Sequence, residues 1–246
     1  MSKVSVIGIG PGEYEQMTLK AIRGLEEAEI IIGYTVYIKL IEEHFPNKTY
    51  MQTPMRQEVK RCEMAFEEAA KGKNVAMICS GDAGVYGMAG LIYEVGESYP
   101  QVSIEIIPGV TSALGGGAVL GAPLMHDFAL ISLSDCLTEW DTIAKRLNAC
   151  AESDFVVCLY NPSSKRRHDF LQKACDIMLV HKKESTPCGI VRNIGREGES
   201  YEILTLAELR NTAVDMFTTV FIGNSSTVVL NNKMVTKRGY IIKGHL

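Results

Sequence analysis

The sequence predicts an α/β chain of two α/β domains, the first built on a mostly parallel sheet and the second on a mixed one, with a cleft between them. Three observations carry this expectation. Strand-length apolar runs alternate with segments of helical periodicity as far as about residue 120. Three of those runs end in glycine-rich turns, Gly8-Ile9-Gly10-Pro11-Gly12, Ser80-Gly81-Asp82-Ala83-Gly84 and Pro108-Gly109-Val110-Thr111-Ser112. Beyond Gly121-Ala122-Pro123, strand-like runs follow one another late in the chain, as antiparallel pairs do.

Element by element, Val4–Ile9 reads as the first strand. Thr18–Ala28 follows as a helix, with Leu19, Ile22 and Leu25 at helical spacing and Thr18 as N-cap. Ile30–Ile32 is a second strand. Glu58–Lys71 is an amphipathic helix whose buried face is expected to hold Val59, Cys62, Phe66 and Ala69, with Lys60, Arg61 and Glu63 largely off it. Strand Val75–Cys79, a helix from about Val85, strand Ile104–Ile107 and an Ala/Gly-rich segment over 111–120 complete the first half. The domains are expected over 1–122 and 123–246. In the second, Ala129–Leu133, Phe155–Leu159, Pro187–Arg192, Tyr201–Leu204 and Met216–Ile222 read as strands, with helices across Trp140–Ala151 and about 168–180.

Composition narrows the function. With 46% hydrophobic residues over 246 positions, the chain can bury a sizeable core. A net charge of −4 without a basic stripe argues against nucleic acid. No apolar run approaches the roughly 20 residues of a membrane span. The first strand begins at once, which leaves no room for a signal peptide. The seven cysteines include no C-x-x-C pair and read as free thiols in a reducing cytoplasm. No metal-ligand cluster stands out.

The three glycine turns, in this order, identify a family. With Gly81–Gly90, Pro123–Phe128, Ile131–Asp135, Tyr160-Asn161-Pro162 and Val235–Tyr240, the chain resembles the tetrapyrrole (corrin/porphyrin) methylases, in the branch that methylates C-17 of precorrin-3B or cobalt-precorrin-3 and contracts the ring. The resemblance runs through nearly the whole chain. It implies S-adenosyl-L-methionine as methyl donor, S-adenosyl-L-homocysteine as product, a corrinoid substrate and a homodimer. It also implies that Pro11, Ser80, Gly81, Asp82, Val85, Thr111, Ser112, Tyr160 and Ile194 hold the donor, while Gly10 faces the methyl acceptor.

Each motif also has a plainer reading. Gly8–Gly12 is a poor dinucleotide fingerprint, because Pro11 removes an N–H and no third glycine opens a helix. Asp82 and the pair Thr111-Ser112 are also natural helix caps. His126 is the one histidine inside a motif. It could move a proton during ring rearrangement with Asp127 orienting it, or simply pack. Arg192, Arg196 and Arg238 lie near strand ends or glycines, where arginine forks could take substrate carboxylates. Lys165-Arg166-Arg167 reads as a solvated helix start. Rival functions are a corrin methylase acting at C-20 or C-11, or a nucleotide-binding module.

Overall fold

A computed structural model of the chain describes residues 2–164 and 166–241. The chain divides into two compact units, one within Met1–Ser112 and the other within Ala113–Leu246.

In the first unit the order is β1 (Lys3–Gly8), α1 (Leu19–Glu27), β2 (Ile30–Tyr34), α2 (Thr35–Ile38), β3 (Thr49–Thr53), α3 (Glu58–Ala70), β4 (Val75–Cys79), α4 (Ala89–Gly96) and β5 (Ser103–Ile107). The five strands form one sheet in the order β3-β2-β4-β1-β5, parallel throughout. Alternate side chains enter opposite layers. Val4, Val6, Ile32 and Met77 pack with Phe66 and Ile92, while Ile7, Ile31 and Ile78 pack with Leu25 and Ile41. Burying each of these large side chains contributes about 2 kcal/mol relative to exposure. Thr18 caps α1 as expected, its Oγ1 accepting the Ala21 N–H at 3.1 Å.

The expected buried face of α3 needs correction. Val59 is 53% exposed, whereas Arg61 is 4% exposed. Its guanidinium turns inward because polar acceptors wait there: Nε donates to Thr53 Oγ1 at 2.8 Å and Nη2 to the Pro54 carbonyl at 3.3 Å. Leu19, expected inside, is also exposed on the first turn of α1.

The second unit opens with α5 (Ser112–Leu120) and β6 (Gly121–Ala122). There follow β7 (Phe128–Ser132), α6 (Trp140–Glu152), β8 (Val156–Tyr160), α7 (Phe170–Leu179), β9 (Pro187–Arg192), β10 (Ser200–Thr205), α8 (Leu206–Leu209), β11 (Thr218–Ile222), β12 (Thr227–Leu230) and β13 (Lys233–Thr236). The main sheet runs β10-β9-β11-β8-β7; β7 and β8 are parallel and the other pairs antiparallel. A small sheet, β12-β13-β6, joins a hairpin to the strand after α5.

The sequence places a boundary near residue 122; the compact units part ten residues earlier. Ala113 and Leu120 of α5 share a core cluster with Cys158, Val191 and Phe221, which binds α5 to the second unit. Gly121-Ala122 pairs with Met234-Val235 instead of acting as a linker.

Candidate functional site

Because β1 lies between β4 and β5 in register, with Ile7 level with both Ile78 and Ile107, the glycine turns leave neighbouring strands at one carboxyl edge. Open parallel sheets bind ligands at that edge. Gly10 and Gly81 form an antiparallel bridge: Gly10 N–H donates to the Gly81 carbonyl at 3.1 Å, and Gly81 N–H donates to the Gly10 carbonyl at 2.7 Å. Both have left-handed backbones, with φ of +74° and +69°. The third turn closes on these two. A Cβ at Gly109 would lie 2.2 Å from the Gly81 carbonyl oxygen and 2.5 Å from that of Gly8. Main chain touches main chain here, so a side chain cannot be added without forcing the turns apart.

Asp82 ties the turns together. Its Oδ1 accepts the N–H groups of Gly84 at 2.8 Å and Val85 at 3.1 Å, and its Oδ2 accepts Gly109 N–H at 2.9 Å. The clasp delays the helix expected from about Val85, and α4 begins only at Ala89. Within the intervening turn Tyr86 has φ +54°. For a non-glycine residue the left-handed region costs about 1–2 kcal/mol. Across the turn, a Cβ on Gly81 would be 3.6 Å from Thr111 Cα and 3.7 Å from Ser112 N. Gly10, Pro11, Ser80, Gly81, Asp82, Val85, Thr111 and Ser112 therefore gather on one edge of the first unit.

Beneath that edge lies Arg61. Besides Thr53 and Pro54, its Nη1 reaches Met88 Sδ at 3.9 Å. Among the described residues no carboxylate forms an ion pair with it. The Arg61 guanidinium thus stands against the loops that follow β3 and β4. Burial pushes the neighbouring thiols up, Cys62 to about 12 and Cys79 to about 11, with Arg61 opposing the rise.

In the second unit, Leu159, Val220 and Ile190 are level across β8, β11 and β9, and Arg192 pairs with Thr218. Tyr160, Arg192, Ile194 and Arg196 consequently share the carboxyl edge of β8 and β9. Tyr160 Oη accepts the Ala113 N–H at 2.8 Å, at the start of α5. Ile194 is buried against the same helix, its Cδ1 lying 2.9 Å from where a Gly116 Cβ would stand. Arg192 donates from Nη2 to the Ala213 carbonyl at 3.0 Å, and the Arg196 guanidinium lies 6.0 Å from the Phe217 ring centroid.

His126 and Asp127 precede β7, whose first residue is level with Val156 and whose last is level with Tyr160. Four residue steps at about 3.3 Å each, roughly 13 Å, separate the two ends of that strand. The structure does not bring His126 and Asp127 to Tyr160; it sets them at the opposite edge. There His126 Nε2 bonds the Lys237 carbonyl at 2.8 Å. Arg238 belongs to this other edge too, beside His126 in an open cavity of about 340 Å³ with Ser225 and Ser226. Lys165 lies outside the described residues. Arg167 is half-buried rather than fully solvated and donates to Ser164 Oγ and the Leu133 carbonyl.

Asn161, within the Tyr160-Asn161-Pro162 motif, turns the chain directly after β8 with a left-handed backbone, and the sequence reading missed its counterpart after β9, Asn193. Asparagine at an apolar strand end is the signal that could have found Asn193. It also missed Arg61 and Tyr86. Among the described residues no group of three or more His, Cys, Asp or Glu could hold a metal ion, and no helix is long and apolar enough to cross a membrane.

Three comparisons bear on this arrangement. A Salmonella typhimurium protein named "Probable cobalt-factor III C(17)-methyltransferase" is 45% identical over 240 residues, which cover 97% of this chain and all of that one. The solved structure of the methyltransferase CobJ superposes with a TM-score of 0.89 at 33% identity, over 96% of this chain and 100% of that chain. A uroporphyrin-III C-methyl transferase from Thermus thermophilus, solved with S-adenyl homocysteine, shares the fold with a TM-score of 0.72 at 22% identity, over 90% and 97%. Residues 3–210 match the family described as Tetrapyrrole (Corrin/Porphyrin) Methylases. The chain belongs to the tetrapyrrole methylases.

Proposed function

We propose that this protein transfers a methyl group from S-adenosylmethionine to C-17 of cobalt-factor III, with ring contraction, in cobalamin synthesis. The observation that carries the reading is the interlocked set of glycine turns at one sheet edge, in a chain nearly half identical to a relative named for that reaction. The residues present fit the donor. A sulfonium has no hydrogen-bond donors of its own and is held by closely approaching oxygens, which main chain stripped of Cβ atoms allows. When bound, the donor supplies an electrophilic methyl group.

The chain's task is alignment, since in-line displacement gains most from holding the two partners in register. Gly81, Asp82 and Val85 from one turn, with Pro11, Thr111 and Ser112 from its neighbours, form the first wall. Tyr160 and Ile194 are assigned to the adenosine end. Gly10 stays on the acceptor side, and Arg192 and Arg196 take substrate carboxylates. The role of Asp82 is mechanical in this reading, because its oxygens accept three main-chain N–H groups. The proton transfer expected of His126 with Asp127, and the substrate contact expected of Arg238, are not carried forward. His126 and Asp127 lie at the other edge of the main sheet from Tyr160, and Arg238 shares the cavity beside His126. We further propose a cytoplasmic homodimer, and light scattering on the purified chain tests the dimer.

The deciding experiment has two arms. Titration calorimetry should detect S-adenosylhomocysteine binding that falls at least about tenfold, or about 1.4 kcal/mol, in folded Gly81→Val. Anaerobic turnover of cobalt-bearing and metal-free substrates, with NMR assignment of the product, should place the methyl at C-17 of a contracted ring. A methyl at C-20 or C-11 would make this a different corrin methylase. No binding of S-adenosylhomocysteine would remove the reading altogether.

A further inference from the structure

Seven described non-glycine residues have left-handed backbones, and five of them are of the types that adopt this conformation cheaply: Asp154, Asn161, Asn193, Asn231 and Asn232. Arg56 and Tyr86 are the others, and Tyr86 is the aromatic one. The turn around it leaves little choice of conformation. Asp82 Oδ1 holds the amides of Gly84 and Val85, and Ala89 N–H donates to the Ala83 carbonyl at 3.0 Å. A Cβ at position 87 would lie 2.4 Å from that same carbonyl oxygen. The backbone at 86 thus calls for glycine or asparagine, yet the residue is tyrosine. Core packing does not account for it, because the side chain is 55% exposed and belongs to neither core cluster of its unit. Strain kept where the surroundings over-determine it marks sites of function more often than sites of folding.

We propose that Tyr86 is a ligand-contact residue whose ring lies against a flat conjugated ring system bound at the glycine-turn edge. The inference rests on the methyltransferase reading, which offers two such systems, the tetrapyrrole and the adenine of the donor. An aromatic face gains most against an extended π-surface in offset or edge-on contact. The locked turn presents the ring without further ordering, which lowers the entropic cost of the contact.

Full-length Tyr86→Phe, Tyr86→Asn and Tyr86→Gly proteins separate ring, hydroxyl and backbone. The readouts are melting temperature, S-adenosylhomocysteine Kd and corrinoid KM. The Asn and Gly variants should melt at or above the wild-type temperature, because both relieve the left-handed strain. At one or both constants they should lose about tenfold, the scale of one aromatic contact, while Phe stays within about twofold. A raised KM with fixed Kd assigns the ring to the tetrapyrrole, and a raised Kd with fixed KM assigns it to adenine. Wild-type constants in Asn and Gly, or losses that track a lowered melting temperature, would overturn the proposal. Wild-type protein that neither binds S-adenosylhomocysteine nor turns over would overturn the methyltransferase reading, and this assignment with it.

Discussion

Replacing Asp82 by asparagine removes one acceptor from a clasp that has three donors. If the amide oxygen keeps Gly84 and Val85, its NH2 group must face the Gly109 N–H, which now approaches the carboxylate at 2.9 Å. A hydrogen bond to a charged group is worth about 1.5–3 kcal/mol, and an orphaned buried donor costs about 1–3 kcal/mol. Asp82 is half-buried, so water recovers part of this, and a loss of about 2 kcal/mol is expected. Hydrogen exchange followed by NMR reads the effect locally: the Gly109 amide should exchange about 30-fold faster in Asp82→Asn, while amides in the centre of β1 change less. Asp82→Ala, which abandons all three donors, should lose more and weaken S-adenosylhomocysteine binding through the displaced turn. An Asp82→Asn protein with wild-type protection at Gly109 and a stability change below about 0.5 kcal/mol would refute the clasp.

His126→Ala should keep S-adenosylhomocysteine affinity and produce contracted, methylated product. Its expected defect is about 1 kcal/mol of stability from the lost bond to the Lys237 carbonyl; loss of contraction in a folded variant would restore a chemical role. Alkylation at pH 8 should label exposed Cys136 quickly and leave Cys62 and Cys79 unmodified until unfolding, since burial pushes both thiols far above that pH; peptide mass spectrometry checks the sites. Glu105 has its pKa lowered, chiefly by the hydrogen bond from Lys20 and against desolvation, with Lys3 adding to the effect. A depressed carboxylate stabilises the fold above its unfolded pKa and loses that stabilisation as pH falls through the folded value. The stability gap between wild type and Glu105→Gln should therefore be present at neutral pH and close as pH drops below the ordinary 4.5, as urea unfolding across pH would show.

The parallel half was legible because continuous apolar runs broken by glycine leave few alternatives, and both register and strand order then put the turns together. Thr49–Thr53 escaped notice because an edge strand with Thr, Gln and Tyr lacks the apolar signature. The β12-β13 hairpin was missed although Asn231 and Asn232, both left-handed, form the two-residue turn that hairpins favour. Arg61 defeated amphipathic reasoning: periodicity counts charge as outside, and only tertiary structure supplies the Thr53 and Pro54 acceptors that draw it in. His126 was harder still. A motif says that residues are near in sequence, but which end of a strand they occupy relative to Tyr160 depends on the pairing of β7 with β8.

The meeting of Gly8, Gly81 and Gly109 constrains how such an enzyme can diversify. Neither Gly8 nor Gly109 can gain a side chain unless a neighbouring turn moves, and Gly81, where a Cβ would have room, is held to glycine by its φ of +69°, so single substitutions at all three are strained for natural variation and directed evolution alike. A lineage that changes which carbon it methylates must leave this corner untouched and alter what surrounds it. Libraries aimed at new acceptors should therefore spare the three turns and randomise Tyr86 and the residues following β8 and β9.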